Sequence, residues 1–168
     1  MKAERLHPLI PRETLRWRKL YKGRAAVAAL RLRDTWRAMS QENVEVVRRA
    51  FAYEIYGVGD RAEAEAIFDP NVVMNPTNEG PFHGLDAMRE DFERWASAFE
   101  ELEVSAEEFI DAGDRVLVTA HHRGRGRTSG AEVDGHFYEV YTLRDGKVVR
   151  VDEYVERAEA LEAVGLRE

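Results

Sequence analysis

The sequence contains no cysteine and no long apolar run, and each absence excludes a class of protein. Without cysteine the chain has no disulfide, no thiolate nucleophile and no cysteine-ligated zinc. The longest apolar run near the start, residues 25–30, is far shorter than the roughly 20 residues of a membrane span and is also too short for a signal-peptide core. We therefore predict a cytoplasmic protein whose main domain does not enter a membrane.

Positive charge is scarce outside the first part of the chain. Residues 1–38 hold 11 Lys or Arg against 3 Asp or Glu, whereas the remaining residues hold 14 basic and 29 acidic side chains. Because nucleic acids are bound through clustered positive charge, the acidic body predicts no nucleic-acid partner. The same division predicts two parts, a basic N-terminal extension over 1–38 and a globular domain over 39–168.

The basic extension has two interpretations. Its apolar side chains would anchor a basic helix to a membrane surface or to a partner protein. Alternatively, it is a poorly ordered extension, or sequence upstream of a start at Met39, and this is the interpretation we favour. In that case the domain is expected to fold without it.

The order of helices and strands after residue 40 predicts the fold class. Apolar residues repeat at helical spacing or alternate, and Gly and Pro residues separate the segments. The predicted elements are helices over 40–56, 60–68, 85–99 and 158–166, and strands over 72–75, 102–107, 115–122, 133–143 and 148–156. Because helices and strands do not alternate, we predict an α+β domain, with an antiparallel sheet and helices packed on one side.

The last two predicted strands form a hairpin with carboxylates on its apolar faces. Asp145-Gly146 between them is a strong hairpin signal, because the turn requires positive φ angles. Alternation places two sets of side chains on common faces: Phe137, Glu139, Tyr141 and Leu143, and Val149, Val151, Glu153 and Val155. A carboxylate among apolar neighbours is either solvated at an edge or lines a pocket. We predict that Glu139 and Glu153 line a pocket.

Alternation groups His122 with the apolar residues Val116, Val118 and Ala120, and we expect this face to point inward with the two acids. A histidine beside two carboxylates in an apolar cavity is suited to general acid/base catalysis. The alternative is a structural network in which His122 satisfies a buried carboxylate. No metal site is predicted, because His121 and His122 face opposite ways and the histidines lack recognisable ligand spacing. No cofactor is predicted either, because no helix follows the glycines at 124–126, as a dinucleotide loop would require.

Several short segments carry a resemblance to a known family. They are Asn43-Val-Glu-Val-Val-Arg-Arg-Ala-Phe51, Phe68-Asp-Pro-Asn-Val-Val73, Phe82-His-Gly-Leu-Asp-Ala-Met-Arg89, Leu143-Arg-Asp-Gly-Lys-Val-Val149, Glu153-Tyr154 and Ala158-Glu-Ala-Leu161. In this order the chain resembles, over about residues 40–166, the SnoaL-like polyketide cyclase branch of the nuclear transport factor 2-like superfamily. The resemblance implies a cystatin-like α+β cone, in which a curved antiparallel sheet wraps helices around a deep apolar cavity. Members include cyclases, ketosteroid isomerases, epoxide hydrolases, dehydratases and non-catalytic binding subunits, so the fold does not determine the function.

The resemblance also implies roles for individual positions. By similarity to the ketosteroid isomerases, Glu139 holds an acid that hydrogen-bonds a developing enolate, and Asn75 stands where their general base lies. An amide cannot accept that proton. Their catalytic tyrosine on the first helix falls near Phe51 or Ala52, and Tyr53 and Tyr56 lie close to that position. By similarity to the polyketide cyclases, His122 and Glu139 would be the acid/base pair.

Two function classes follow from the residues and the resemblance together. The first is an acid/base enzyme of cyclase, isomerase or dehydratase type that acts on a small apolar or polycyclic carbonyl compound. The second is a non-catalytic ligand-binding or interaction domain. A homodimer is expected, paired through the outer sheet face at Tyr138, Val140 and Thr142. The predicted catalytic residues are His122, Glu139 and Glu153, and the predicted ligand contacts are Asn75, Tyr53, Val118, Ala120, Phe137, Tyr141, Val151, Val155 and Trp95.

Overall fold

The computed structural model describes residues 41–55 and 60–167. The basic extension over 1–38, the predicted helix cap Ser40 and the predicted helix end at 57–59 lie outside the described residues. The domain boundary near residue 39 therefore stays a prediction. Among the described helices, none combines the length and the apolar character needed to cross a membrane.

The described residues form a mixed sheet with helices on both faces. Its strands lie side by side in the order β2-β1-β6-β5-β4-β3. In chain order the elements are α1 (residues 41–55), α2 (Arg61–Ile67), β1 (Phe68–Asn75), β2 (Phe82–His83), α3 (Leu85–Ser97), β3 (Phe99–Asp111), β4 (Arg115–Gly126), β5 (Glu132–Arg144), β6 (Lys147–Tyr154) and α4 (Arg157–Ala163).

This architecture confirms the predicted α+β class and corrects it in one respect. The strands β1 and β6 pair in parallel, so the sheet is not wholly antiparallel. Parallel neighbours need a long connection, and here the intervening helix and strands provide it. The short strand β2, which the sequence did not predict, pairs with β1 through Val73 and Met74.

Local signals in the sequence explain where several elements begin and turn. The Asp60 side chain accepts a hydrogen bond from the Glu63 amide at 2.9 Å, and the Glu63 carboxylate accepts one from the Asp60 amide at 3.1 Å. This capping box satisfies two amides that helix geometry leaves unpaired, so α2 begins where predicted. At the β5–β6 turn, Asp145 and Gly146 have φ angles of 52° and 74°, which confirms the predicted hairpin turn.

An irregularity in the hairpin changes which side chains of β6 face inward. Thr142 pairs with Arg150, but Leu143 pairs with Val148, so β6 has one extra residue at this point. A bulge of this kind reverses the alternation. Simple alternation placed Val149 on the inward face, but Val149 is only half-buried. Val148 is fully buried in its place. The predicted ligand contact Val155 lies beyond the end of β6 and is 53% exposed.

The two faces of the sheet are covered by different helices. On the inner face, α1 and α3 share a core with side chains such as Val118 and Val151. On the outer face, α4 packs Ala160 and Leu161 against Leu117 and Val140. The prediction that helices pack on one side only is wrong. Because Val140 is 2% exposed, the face predicted to pair two copies is already partly covered, and the homodimer stays a prediction.

Candidate functional site

A cavity of about 170 Å³ lies against the inner face of the sheet, between α1 and α3. An apolar cavity of about 150 Å³ is known to hold benzene, so the space suits a ligand of about one ring. Three aromatic side chains form much of its wall: Phe92, Trp95 and Phe137. Five carboxylates also line it, and the described lining contains no lysine or arginine: Glu54, Glu79, Asp91, Glu139 and Glu153.

Two of these acids meet at one tyrosine. The Tyr141 hydroxyl oxygen lies 2.6 Å from Glu139 Oε2 and 2.9 Å from Glu54 Oε2, and all three side chains are buried. A tyrosine hydroxyl carries one proton, so it donates to only one of the two carboxyl groups. In the other contact, the carboxyl group itself must carry a proton and donate it to the Tyr141 oxygen. The three groups therefore share protons, and one acid is protonated while both contacts are made.

Burial determines which acid keeps its proton. Loss of hydration raises the pKa of Glu139 well above its usual range, and the neighbouring Glu54 charge raises it further. Burial raises the pKa of Glu54 to about 7, although the Tyr141 hydrogen bond opposes that change. One arrangement fits both pKa changes. Glu139 is protonated and donates to the Tyr141 oxygen, while the Tyr141 hydroxyl donates to Glu54. Glu54 then exchanges its proton near neutral pH.

Glu54 was missed by the sequence analysis, although a signal for it exists. The residue lies in α1, seven positions after Val47 and three after Phe51, on the helix face that is buried against the sheet. A carboxylate on an apolar helix stripe is as unusual as one on an apolar strand face. Glu54 therefore shares with Glu139 the feature of a carboxylate on an otherwise apolar face.

His122 lies in an aromatic slot without a hydrogen-bond partner. Its ring centroid is 4.6 Å from that of Phe137 and 5.2 Å from that of Trp95. The side chain is 3% exposed, and within the described part of the chain neither ring nitrogen has a hydrogen-bond partner. Burial lowers the pKa of His122 to about 4, and the charges of His121 and His136 act in the same direction. The imidazole is therefore neutral near pH 7 and presents one N–H and one lone pair.

Glu153 also lines the cavity. It pairs with Glu139 across the β5–β6 ladder. Its Oε2 accepts hydrogen bonds from the Thr77 amide at 3.0 Å and from the Thr77 hydroxyl at 3.2 Å. These bonds tie the loop after β1 to the sheet. The negative charge of Glu153 also contributes to the raised pKa of Glu54 and of Glu139.

The structure brings together only some of the predicted ligand contacts. Trp95 and Phe137 line the cavity, and Tyr141 holds the two acids. Four predicted contacts are buried in the core and do not line the cavity: Tyr53, Val118, Ala120 and Val151.

Asn75 does not reach the cavity. Its side chain amide donates to Asp152 Oδ1 at 2.8 Å, and the neighbouring Met74 lines the cavity instead. Because successive strand residues face opposite ways, Asn75 points away from the site. Asn75, at the position that the resemblance assigned to a base, therefore does not present its amide to the cavity.

The helix α3 contributes four side chains to the wall of the cavity. Met88, Asp91 and Phe92 line the cavity together with Trp95. Asp91 is the acid on this side, and burial is the main cause of its raised pKa, which the Arg94 charge opposes. Its position, three residues after Met88 and four before Trp95, puts it beside the apolar stripe and is the signal that could have identified it.

Comparison with known proteins places the chain in a family. The sequence model of the SnoaL-like domain matches residues 47–151. No curated protein matches the chain. Among solved structures, a protein from Jannaschia sp. CCS1 that bears the name of a SnoaL-like polyketide cyclase is 23% identical, with a TM-score of 0.61, and the match covers 77% of this chain and 96% of that one.

Two other solved structures have the same fold. An NTF2-like protein from Burkholderia xenovorans LB400 is 26% identical, with a TM-score of 0.58, over 74% of this chain and 97% of that one. A protein with a ketosteroid isomerase-like fold from Catenulispora acidiphila, solved in complex with trimethylamine, is 18% identical, with a TM-score of 0.56, over 73% and 93% of the two chains. For the Jannaschia and Catenulispora proteins, which are less than 25% identical to this chain, the likeness shows the fold alone.

Proposed function

The chain belongs to the SnoaL-like domain family, and we propose that it is an acid/base enzyme that transfers a proton at a carbon next to a carbonyl group. The observation that carries the proposal is the chain of contacts Glu54–Tyr141–Glu139 at a cavity. A general base is most effective when its pKa is near the working pH, and the pKa of Glu54 is about 7. The cavity volume favours a substrate of about one ring over a polycyclic one.

In this proposal Glu54 is the proton acceptor. The C–H bond next to the substrate carbonyl breaks, its proton moves to Glu54, and its electron pair delocalises onto the carbonyl oxygen. The proton then returns to the same or another carbon, which gives exchange or isomerisation. Glu139 and Tyr141 position Glu54 through their hydrogen bonds. This assignment differs from the prediction from sequence, in which Glu139 and His122 were the acid/base pair.

His122 has a separate role in the proposal. A neutral imidazole has an N–H that can donate to the developing enolate oxygen, and a donor inside a buried site stabilises such charge strongly. The two unpartnered ring nitrogens of His122 support this role, because a buried polar group without a partner is costly until a ligand supplies one. The flanking rings of Trp95 and Phe137 support binding of a planar substrate.

Hydrogen–deuterium exchange tests the proposal without knowledge of the product. The full chain is incubated in D₂O with ring-sized ketones, and loss of the proton signal next to the carbonyl is followed by NMR. Glu54→Gln should slow enzyme-dependent exchange roughly 10²–10⁴-fold, because it removes the base and preserves the shape. Glu65→Gln, on the exposed side of α2, is the matched control and should exchange at the wild-type rate.

Two results would contradict the assignment. Equal exchange rates in Glu54→Gln and the wild type would exclude Glu54 as the base. Binding of the ketones without any exchange would exclude proton abstraction altogether. Thermal melts of each variant would establish that a lost activity does not reflect a lost fold.

A second candidate function is the binding of a small organic cation. The described lining offers five acids, no basic residue and three aromatic rings, and carboxylates with aromatic faces are the groups that bind such cations. If this is the function, trimethylammonium should bind more tightly than neutral tert-butanol, which has a similar shape. Its affinity should rise as the pH increases through about 7, because Glu54 ionises there. Equal binding of the two compounds would exclude this candidate.

A further inference from the structure

On the outer face of the sheet, away from the cavity, two histidines lie directly opposite each other. His121 in β4 pairs with His136 in β5. Their rings are stacked, with centroids 4.8 Å apart and an interplanar angle of 19°. Because His122 faces the other way, this pair is separate from the proposed catalytic site.

A bulge in β3 brings a carboxylate to the same place. Ala106 pairs with Ala120 and Glu108 pairs with Thr119, so Glu107 is an extra residue in β3. Bulges redirect side chains in this way. Glu107 Oε1 lies 3.4 Å from His121 Nδ1, and Glu107 Oε2 lies 3.0 Å from His136 Nε2.

Asp134 determines which nitrogen of His121 is available. The His121 Nε2 atom is 2.7 Å from Asp134 Oδ1, which accepts its N–H. The lone pair of the neutral ring is then on Nδ1, on the side of Glu107. A carboxylate oxygen and a ring lone pair that face each other repel unless a proton or a metal ion lies between them. A carboxylate that orients a histidine in this manner is typical of metal sites.

We propose that Glu107, His121 and His136 bind one divalent transition-metal ion of the zinc type, with Asp134 orienting His121. Nitrogen and carboxylate ligands suit this class of ion. Neighbouring ligand atoms in a tetrahedral zinc site are about 3.3 Å apart, close to the separations of 3.4 Å and 3.0 Å found here. Candidate ligand atoms of all three residues lie within 4.8 Å of one another, so small rotations of these side chains complete the site.

The sequence offered no recognisable ligand spacing for this site. Its two histidines come from different strands, and the bulge that redirects Glu107 was not predicted. The ion would connect three adjacent strands through one ligand from each. It would also retain at least one open position toward solvent, because these side chains lie on the exposed face.

Calorimetric titration with ZnCl₂ tests the proposal on the full chain, purified without a histidine tag and stripped with a chelator. We expect one Zn²⁺ per chain, a higher melting temperature in the presence of Zn²⁺, and a shift of the His136 side-chain NMR signals. Asp134→Asn should weaken binding roughly 10- to 100-fold, as expected for the loss of an orienting carboxylate. His136→Ala should weaken it further.

The control is His83→Ala, because His83 is exposed and lies in β2, outside the cluster. This variant should bind Zn²⁺ as the wild type does. The proposal is overturned if the wild-type chain takes up no Zn²⁺. It is also overturned if His121→Ala and His136→Ala bind Zn²⁺ as tightly as the wild type, since the ion would then lie elsewhere. Because Glu54 is not involved, either outcome is independent of the ketone exchange experiment.

Discussion

Replacement of Glu54 by glutamine should change how the stability of the protein depends on pH. In the folded protein the pKa of Glu54 is raised from 4.5 to about 7, chiefly by burial. Between these values the folded state binds more protons than the unfolded state, so the free energy of unfolding falls as the pH rises. The full contribution of this group is present below pH 4.5, and it is lost as the pH increases through about 7.

The size of the effect follows from the same pKa change. Because one pKa unit corresponds to about 1.36 kcal/mol, ionising Glu54 in the folded protein costs about 3 kcal/mol. A glutamine has nearly the shape of a protonated glutamic acid and can still accept the Tyr141 hydrogen bond. Glu54→Gln should therefore be about as stable as the wild type near pH 4.5, and about 3 kcal/mol more stable at pH 8.

Urea unfolding of the full chain at a series of pH values measures this difference. Wild type, Glu54→Gln and the exposed control Glu65→Gln are compared in the same buffers. The control should follow the wild-type curve throughout. If the curves of wild type and Glu54→Gln run parallel from pH 4.5 to pH 8, then Glu54 ionises without cost in the folded protein and is not the proposed base.

Four further predictions concern the rest of the domain. Tyr141→Phe removes the hydroxyl that contacts both buried acids and should cost about 1–3 kcal/mol of unfolding free energy, measured in urea. Leu161→Ala should cost about 2–5 kcal/mol, because α4 buries that side chain on the outer face, whereas the more exposed Leu166→Ala should change little. A chain starting at Met39 should unfold within about 2 kcal/mol of the full chain, and a larger loss would show that the extension packs on the domain. Light scattering at micromolar concentration should give the mass of a dimer, and a monomer mass would refute the predicted pairing.

The parts of the fold that follow from local chemistry were predictable. The capping box at Asp60 and the positive φ angles at Asp145-Gly146 each depend on a few adjacent residues. The inward direction of His122 and Glu139 follows from strict alternation along β4 and β5. In all of these cases the deciding interactions lie within a few positions along the sequence.

Other features depend on contacts that sequence spacing does not reveal. The bulge near Val148 reverses the alternation in β6, and nothing in the residue types marks its position. The pKa of His122 is lowered by burial and, in the same direction, by the charges of His121 and His136, and the sequence spacing does not reveal which groups surround the ring. Asn75 pairs with Asp152 because β1 lies parallel to β6, a pairing across most of the domain.

The position of β3 at one end of the sheet has a consequence for association between copies. An outermost strand exposes unpaired backbone groups, to which a strand of another chain can add. Here β3 carries repeated glutamates and two bulges, and β2 at the opposite end is only two residues long. Like charges and broken registers oppose strand addition on one side, and a short strand offers little to pair with on the other. The sheet therefore resists growth into larger aggregates, and copies that associate are expected to do so through its faces.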